Sequence, residues 1–304
     1  MKHIILIISL ITTHIGIHAQ PLLQATANSP DKVLQSELMV YNNDTKGSFE
    51  DGHGKKPYLK ALGQPPKKVA LLSFYLFDPI TSVNWDGRSF CMYSESNFTD
   101  EGHNKIANKF LDTSMAQLKE AFKTYGMELL TPAEYLTDDA KREAYDKFAN
   151  PHSGLPKFLV SDKKFKNASS PDGYRSFIIQ YPDDNKASEE FGKLAKTLEV
   201  DAVVIIGNDI LCESKSFQIN KLGIYMYGPN PVPKKDDATY TNKHGMGYHE
   251  GHMYVGFELD LGGSIFVKHK KGAITWQDYS GYDKLCGFLI KNIGEFLTAA
   301  TNNK

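Results

Sequence analysis

The stretch ASEEFGKLAKTLEVDAVVIIGNDI, residues 187–210, joins a helix pattern to a strand pattern and decides the class of fold. Apolar side chains share one helical face in its first half, at Ala187, Phe191, Leu194, Ala195 and Leu198. The continuous apolar run 203–206 then predicts a strand that is buried on both faces and ended by Gly207. A helix that leads directly into a buried strand is typical of layered domains that contain both element types.

A second buried strand is predicted upstream, in KKVALLSFYLF, residues 67–77. This run is rich in Val, Leu and Phe, and prolines flank it at positions 65, 66 and 79. We expect this strand and the 203–206 strand to lie side by side in the interior of one sheet, closed over by amphipathic helices.

Three further helices are predicted. The helix over 100–125, with Asp100 as its cap and Gly126 at its end, has an apolar face of Leu111, Met115, Leu118, Phe122 and Tyr125. Thr131, Pro132 and Glu134 have helix-start chemistry and predict a helix through about Phe148. The closing helix has an apolar face of Tyr282, Leu285, Leu289, Ile293 and Phe296.

These elements predict an α/β or α+β layered domain, in which helices cover a mixed sheet and a C-terminal helix closes the fold. Alternation of apolar with other residues indicates a late strand, with apolar side chains at Val255, Phe257, Leu259 and Leu261. One face of this strand should be exposed to solvent. The expected organisation is a signal peptide over 1–19, an irregular arm over 20–66, and a single domain over 67–304. An insertion interrupts that domain at about 150–184.

The first residues, MKHIILIISLITTHIGIHAQ, have the layout of a secretory signal peptide. Lys2 provides the positive start, the apolar run 4–17 is short, and Ala19 precedes the expected cleavage point. The alternative is a buried N-terminal helix. No Cys lies near this point and no later stretch reaches the length of a membrane span, so we expect a soluble, exported protein, periplasmic or secreted.

Composition does not indicate nucleic-acid or membrane partners, and it leaves open whether any cysteines form a disulfide. The chain has 35 basic and 36 acidic residues and a net charge of -1, which does not indicate nucleic-acid binding or electrostatic adhesion to a membrane. A hydrophobic content of 41% supports a real core. Of the three cysteines, Cys91, Cys212 and Cys286, at least one must be a free thiol unless it pairs with another chain.

The glycine-rich run NKHGMGYHEGHMYVGFELDLGG, residues 242–263, contains the candidate metal ligands His244, His249 and His252, with Glu250 as a possible base. Imidazoles are good ligands for zinc or copper. Their separations of five and three fit no local zinc signature, and the glycines of this run argue against a helix. The other interpretation is that these are loop or surface histidines.

Two other groups of residues allow both a functional and a structural interpretation. Tyr225, Tyr227, Tyr248 and Tyr254 could form an aromatic binding surface, or could pack in a sheet that favours aromatic residues. Asp201 precedes the 203–206 strand and Gly207–Asn208 follows it, where binding groups often lie, although a turn explains Gly–Asn equally well. No Walker-type motif and no Gly-x-Ser-x-Gly elbow occurs.

Four segments give a resemblance to a known family: KKVALLSF (67–74), MELLTPAEY (127–135), LAKTLEVDAVVIIGN (194–208) and AITWQDYSGY (273–282). Their layout resembles the CsgG-like superfamily of bacterial envelope proteins, which includes TolB amino-terminal domains. The resemblance covers roughly residues 67–300. The chain departs from the lipoprotein members in having no lipid-accepting Cys, and it has Lys271–Gly272 where a Thr–Gly turn is usual. The resemblance implies a non-enzymatic protein that binds other envelope proteins.

The leading functional hypothesis is therefore a binding or assembly module for a protein partner in the cell envelope, without a cofactor. One alternative is a metal-dependent hydrolase that uses zinc at His244, His249 and His252. A further alternative is a binder of glycans or other surface ligands that uses the tyrosine-rich sheet.

The signal-peptide hypothesis predicts a defined mature chain. On expression in a bacterial host, the periplasmic or secreted protein should begin at Gln20, and its intact mass should lack residues 1–19. An exported or cytosolic chain that retains Met1–Ala19 would contradict this and favour the buried N-terminal helix.

Overall fold

The computed structural model describes residues 29–40, 57–77, 81–85, 89–93, 100–151, 160–161, 164–165, 168–179, 185–212, 217–231, 244–259 and 280–302. Its helices are α1 (Asp31–Glu37), α2 (Asp100–Thr124), α3 (Pro132–Tyr135), α4 (Asp139–Lys147), α5 (Asn185–Thr197) and α6 (Ser280–Asn302), with a 3-10 helix at Pro57–Leu62. Its strands are β1 (Leu38–Val40), β2 (Lys68–Phe77), β3 (Thr81–Trp85), β4 (Ser89–Tyr93), β5 (Glu128–Leu130), β6 (Val160–Ser161), β7 (Lys164–Phe165), β8 (Ala168–Ser169), β9 (Ala202–Cys212), β10 (Phe217–Pro229) and β11 (Gly245–Leu259).

The main sheet is mixed, which confirms the predicted α/β class. Its strand order is β1-β11-β10-β9-β2-β5, and β8 pairs with β2 beside this path. Strand β2 is parallel to both β9 and β5, whereas β9, β10, β11 and β1 follow one another as antiparallel neighbours. The predicted strands 67–77 and 203–206 are therefore adjacent in the sheet interior.

The parallel pair β2–β9 is aligned at its start by one carboxylate. Asp201 Oδ2 accepts hydrogen bonds from the backbone N–H groups of Lys67 and Lys68, each at 2.9 Å. The backbone N–H of Asp201 in turn donates to the Lys68 carbonyl at 2.9 Å. Asp201, a candidate for function in the sequence, thus has a structural position at the start of the β2–β9 pairing. This pairing runs from Val69↔Ala202 to Phe77↔Asp209, with one register shift between Leu71 and Ser73.

Helices cover both faces of the sheet. Helices α2 and α6 lie on one face, which we call the α2/α6 face, and their predicted apolar residues Leu118, Phe122 and Leu289 join the same core cluster as Val204. Helices α4 and α5 lie on the other face, the α5 face, where Phe191 of α5 and Val203 of β9 belong to the same hydrophobic core. The apolar faces predicted for α2, α5 and α6 are confirmed, because helical periodicity reports directly which residues turn inward.

The helix predicted from Thr131 to Phe148 is instead two helices, α3 and α4. The predicted start is confirmed, since the Thr131 N–H donates to Glu134 Oε2 at 2.7 Å. The prediction failed at Asp138, whose Oδ1 accepts from the Lys141 N–H at 2.9 Å and begins a second helix. Asp at such a position competes with helix continuation because its side chain satisfies a free N–H of the first turn.

Part of the N-terminal arm is regular, contrary to expectation. Helix α1 leads into β1, which pairs with β11 from Leu38↔Met253 to Val40↔Gly251. Leu34 and Leu38 are buried in the core of the α2/α6 face. Within the predicted insertion, residues 168–179 pack onto β2, where Ser73 Oγ donates to the Arg175 carbonyl at 2.6 Å.

Some predictions lie outside the described residues, including the signal peptide and the Trp-containing segment 273–279. Among the helices that the structure describes, none has the length and apolar character that a bilayer crossing needs. Cys286 is a free, buried thiol.

Helix α5 and strand β11 meet at two glycines. A Cβ atom on Gly192 would overlap the Gly245 Cα, and a Cβ on Gly245 would overlap the Ser188 carbonyl oxygen. This backbone contact leaves no room for a methyl group on either element. Gly287 on α6 differs, since a Cβ there would meet nothing within 4 Å.

We therefore predict opposite effects of two glycine substitutions in helices. Gly192→Ala should lower the free energy of unfolding by about 2 kcal/mol, because overpacking at a tight contact outweighs the gain in helix propensity. Gly287→Ala should raise it by up to about 1 kcal/mol, because the methyl group has space and Ala favours the helix. Urea unfolding followed by circular dichroism measures both, and equal effects would contradict the Gly192–Gly245 contact.

Candidate functional site

The three candidate metal ligands lie in different environments. His244 precedes β11, with its Nε2 at 3.7 Å from Glu189 Oε1. His249 pairs across the sheet with Met226 on the α2/α6 face, and its ring centroid lies 5.8 Å from that of Phe296.

His252 points to the opposite, α5 face. It pairs with Gly223, and its ring meets Tyr254 edge-on at a centroid distance of 5.4 Å. The structure therefore does not bring the three imidazoles together. Within the described ranges, no group of three or more His, Cys, Asp or Glu side chains has an arrangement that holds a metal ion. The metal-dependent hydrolase hypothesis rests on sequence proximity alone.

The expected surface loop is instead the first part of β11. His249 and His252 are 1% and 2% exposed, and Glu250 is fully buried. The glycines there leave space for these side chains: a Cβ on Gly247 would overlap the Glu250 carboxylate, and one on Gly251 would lie 2.6 Å from His249 Nε2. The Glu250 and His249 side chains each fold back over a glycine of their own strand. The sequence pattern, which suggested a flexible loop, did not predict this packing.

Glu250 is held toward helix α5. Its strand partner is Tyr225, and the Ser188 hydroxyl of α5 donates to Glu250 Oε1 at 3.3 Å. Because this carboxylate lies between a helix and the sheet, it is a buried polar link between α5 and β11.

A second group of polar residues lies on the same face, toward the carboxyl end of β9. We call Asp209, Lys221, His252 and Tyr254 the Asp209 corner. On β10, Lys221 pairs with Asp209 of β9 on one side and with Tyr254 of β11 on the other. His252 of β11 lies opposite Gly223, two residues further along β10. The four side chains therefore come from three adjacent strands.

The charges of the Asp209 corner are only partly exposed to water. Lys221 Nζ lies 3.5 Å from Asp209 Oδ2, and the two side chains are 15% and 25% exposed. Burial raises the pKa of Asp209, and the Lys221 charge opposes that shift. An ion pair at this depth is less screened than a surface pair, so it can orient a charged or polar ligand at its edge.

His252 is the uncharged member of the corner. Burial, helped by the Lys221 charge, lowers its pKa to about 3. At neutral pH the imidazole is therefore a neutral hydrogen-bonding group and not a cation.

The candidate aromatic surface is reduced to one residue. Tyr225, Tyr227 and Tyr248 are buried in the two cores, as sheet packing predicts. Tyr254 is 44% exposed, and it is the one large apolar side chain classed as exposed in the described part of the chain. It lies directly beside Lys221.

The Gly207–Asn208 pair lies inside β9 and does not end it, which corrects the predicted strand end. A Cβ on Gly207 would overlap the Tyr75 ring, so the glycine makes room for an aromatic side chain. Asn208 Nδ2 donates to the Tyr75 carbonyl at 3.0 Å, within the core. Sequence analysis missed Asp209 and Lys221, although a charged residue next to a buried strand is a usable signal.

On the α2/α6 face, Tyr282 of α6 packs between helix α2 and the sheet, and its ring lies edge-on to Phe74 of β2 at 6.5 Å. Tyr282 and Cys286 are at most 1% exposed, and the Tyr282 ring packs edge-on against Phe110 at 5.0 Å. Burial raises the pKa of the Cys286 thiol to about 12, which keeps it protonated and unreactive at neutral pH.

No protein-family model, curated protein or solved structure matches this chain.

The buried, neutral state of His252 predicts a specific loss of stability in acid. Its pKa is about 3 in the folded protein and near 6.5 when unfolded, so the unfolded state binds more protons between these values. Stability should therefore fall as pH drops below 6.5, by up to about 1.4 kcal/mol per pH unit from this residue alone.

Unfolding free energies at pH 7 and pH 4.5 measure this effect. His252→Gln should lose less stability between the two pH values than the wild type does. Tyr254→Phe keeps the imidazole and should retain the wild-type loss. Equal losses for wild type and His252→Gln would show that His252 is not held neutral by burial.

Proposed function

We propose that the protein is an exported, non-catalytic binding module of the cell envelope that contacts a protein partner through the Asp209 corner. The main observation in support is that Tyr254, an exposed aromatic residue, lies beside the half-buried ion pair between Lys221 and Asp209. Tyrosine is among the residues that contribute most to protein interfaces, because its ring buries a large area at a small entropic cost.

The position of the corner supports this proposal. Strands β2 and β9 are parallel neighbours, and Asp209 is paired with Phe77 at the last residue of β2. In open α/β sheets, ligands bind outside the carboxyl ends of parallel strands. The rigid sheet fixes the spacing of Asp209, Lys221 and Tyr254, which lowers the entropic cost of ordering them on binding.

The protonation states of two buried groups, His252 and Cys286, do not suit acid–base or nucleophilic chemistry. His252 is held neutral, and the Cys286 thiol is held protonated. Catalytic groups need pKa values near the working pH, or lowered pKa values for nucleophiles, and these two shifts go in the other direction.

The envelope location rests on the signal-peptide layout and on the resemblance to CsgG-like proteins. Three of the segments that carry the resemblance lie on described elements: KKVALLSF on β2, MELLTPAEY on β5 and α3, and LAKTLEVDAVVIIGN on α5 and β9. The family relationship is part of this proposal, and the N-terminal mass predicted above tests the export on which it depends.

A photo-crosslinking experiment tests the proposed surface. A p-benzoylphenylalanine at position 254 should give a discrete protein adduct in an envelope extract of the source organism. The same group at Lys147, whose side chain is 71% exposed on α4, is the control and should not give that adduct.

Competition makes the result specific. Excess unlabelled wild-type protein should abolish the adduct, whereas excess Tyr254→Ser should compete at least about tenfold more weakly, since an interface tyrosine is often worth more than 1.4 kcal/mol. Equal competition by both proteins, or the same adduct from position 147, would contradict a binding role for the corner.

A further inference from the structure

Strand β11 is paired along the whole of one side but over only a short stretch of the other. Strand β10 pairs with it from Gly245 to Leu259, whereas β1 pairs with residues 251–253 alone. Beyond β1 the sheet has no further strand among the described residues. In the part of the chain that the structure describes, the outer backbone of residues 254–259 therefore has no strand partner, and we call this segment the β11 edge.

Helix α1 turns the N-terminal arm away from the β11 edge. The helix ends immediately before Leu38, the first residue that pairs with β11, opposite Met253. Its Leu34 side chain is buried in the core of the α2/α6 face, and Asp31 Oδ2 lies 3.5 Å from Lys291 Nζ of α6. Because α1 lies on that face, the residues that precede β1 do not continue its pairing along the β11 edge.

The backbone of the β11 edge has groups that β10 cannot satisfy. In an antiparallel strand, alternate residues direct their N–H and C=O groups to opposite sides. The edge is ~20 Å long at the usual rise per residue, which is the length of a typical strand. Another extended chain that lies alongside can pair with the outward groups, as in recognition by strand addition.

The β11 edge begins at the residue on which the proposed function rests. Tyr254 follows Met253, the last residue of β11 that pairs with β1, and it is exposed beside Lys221. The Asp209 corner and the β11 edge are therefore one continuous surface, with a side-chain part and a backbone part. A partner that covers Tyr254 lies within reach of the outward backbone groups of the edge.

We propose that the protein partner contributes an extended segment, which adds to the sheet as a strand along the β11 edge, in line with β1. This inference rests on the proposed binding function and names the form of the partner. Main-chain hydrogen bonds provide affinity, and the partner residue opposite Tyr254 provides specificity. We expect that residue to be aromatic or β-branched, because such cross-strand pairs are favourable. A second copy of this chain is the competing occupant, and the mass of the adduct distinguishes it.

Amide hydrogen exchange of the purified full chain, followed by NMR, tests whether the β11 edge is open. Along residues 254–259, amides bonded to β10 should exchange slowly, and amides directed outward should exchange at least about tenfold faster. Residues 251–253 are the internal control, because β1 covers them and their amides should all exchange slowly. Uniformly slow exchange through residues 254–259 would show that the edge is already covered, which would overturn the inference.

Photo-crosslinking at two positions tests the extended form of the partner. A p-benzoylphenylalanine at position 258 should capture the same protein as the one at position 254. Because paired strands have nearly equal rise per residue, the two attachment sites should lie about four residues apart in the partner. No adduct from position 258, or attachment sites in distant parts of the partner's sequence, would contradict strand addition.

A proline substitution tests the backbone hydrogen bonds. It is placed at the residue of 255–259 whose amide exchanges fastest in the free chain, because that N–H does not bond to β10 and an edge tolerates proline there. The proline variant should compete for the position-254 adduct about tenfold more weakly than the wild type, since a buried acceptor of the partner loses its donor. Alanine at the same residue is the matched control and should compete like the wild type.

Circular dichroism and urea unfolding check that both variants fold. Equal competition by the folded proline variant and the wild type would overturn the inference. If the proline variant does not fold, the attachment sites from positions 254 and 258 decide.

The outcomes separate this inference from the proposed function. A position-254 adduct together with a uniformly protected β11 edge, or without an adduct from position 258, removes strand addition and leaves the proposed function standing. Absence of the position-254 adduct removes the proposed function, and strand addition with it. An adduct with the mass of two copies of this chain would overturn the choice of a different protein as the occupant.

Discussion

The structure depends on the parallel pairing of β2 with β9 in the interior of the sheet. Asp201 accepts hydrogen bonds from the N–H groups of Lys67 and Lys68, so the two strands start in register. Both strands are apolar on both faces, which requires a helical layer on each side. Helices α2 and α6 supply one layer, and α4 and α5 supply the other. This pairing also places Asp209 at the carboxyl end of the parallel pair, where its corner is formed.

A second constraint comes from glycines within the main sheet. Gly207, Gly223, Gly247 and Gly251 each lie beneath a large side chain: Tyr75, Tyr225, Glu250 and His249, respectively. Such pairs let bulky residues lie flat against the sheet, so that helices can still approach closely. The same packing buries His249, Glu250 and His252 along β11. Because side chains alternate along a strand, His249 lies on the α2/α6 face, and Glu250 and His252 lie on the α5 face.

The sequence predicted the layers well because burial is recorded in the spacing of apolar residues. The faces of α2, α5 and α6 and the apolar strands β2 and β9 were confirmed for this reason. Other features depend on contacts between distant residues, which spacing does not record. Gly207 was expected to end β9, but it lies within the strand and accommodates the distant Tyr75. The break at Asp138 was missed for a different reason, since the Asp138 side chain caps a new helix there.

The candidate site was less predictable than the fold for the same reason. Three histidines close in sequence suggested one site, but a strand sends neighbouring side chains to opposite faces. Asp209 and Lys221 are twelve positions apart in sequence and come together only through the β9–β10 register. The charge pair and the exposed Tyr254 therefore become visible as one surface only in the folded chain.

Native-state hydrogen exchange most directly tests the claim that β2 and β9 form one sheet interior. The backbone amides of residues 69–77 and 202–210 should exchange only through a common opening, with free energies equal to that of global unfolding. Both segments should lose protection together as denaturant is added. Exchange of one segment at a clearly lower free energy, while the other stays protected, would contradict the account by placing the two strands in separate cooperative units.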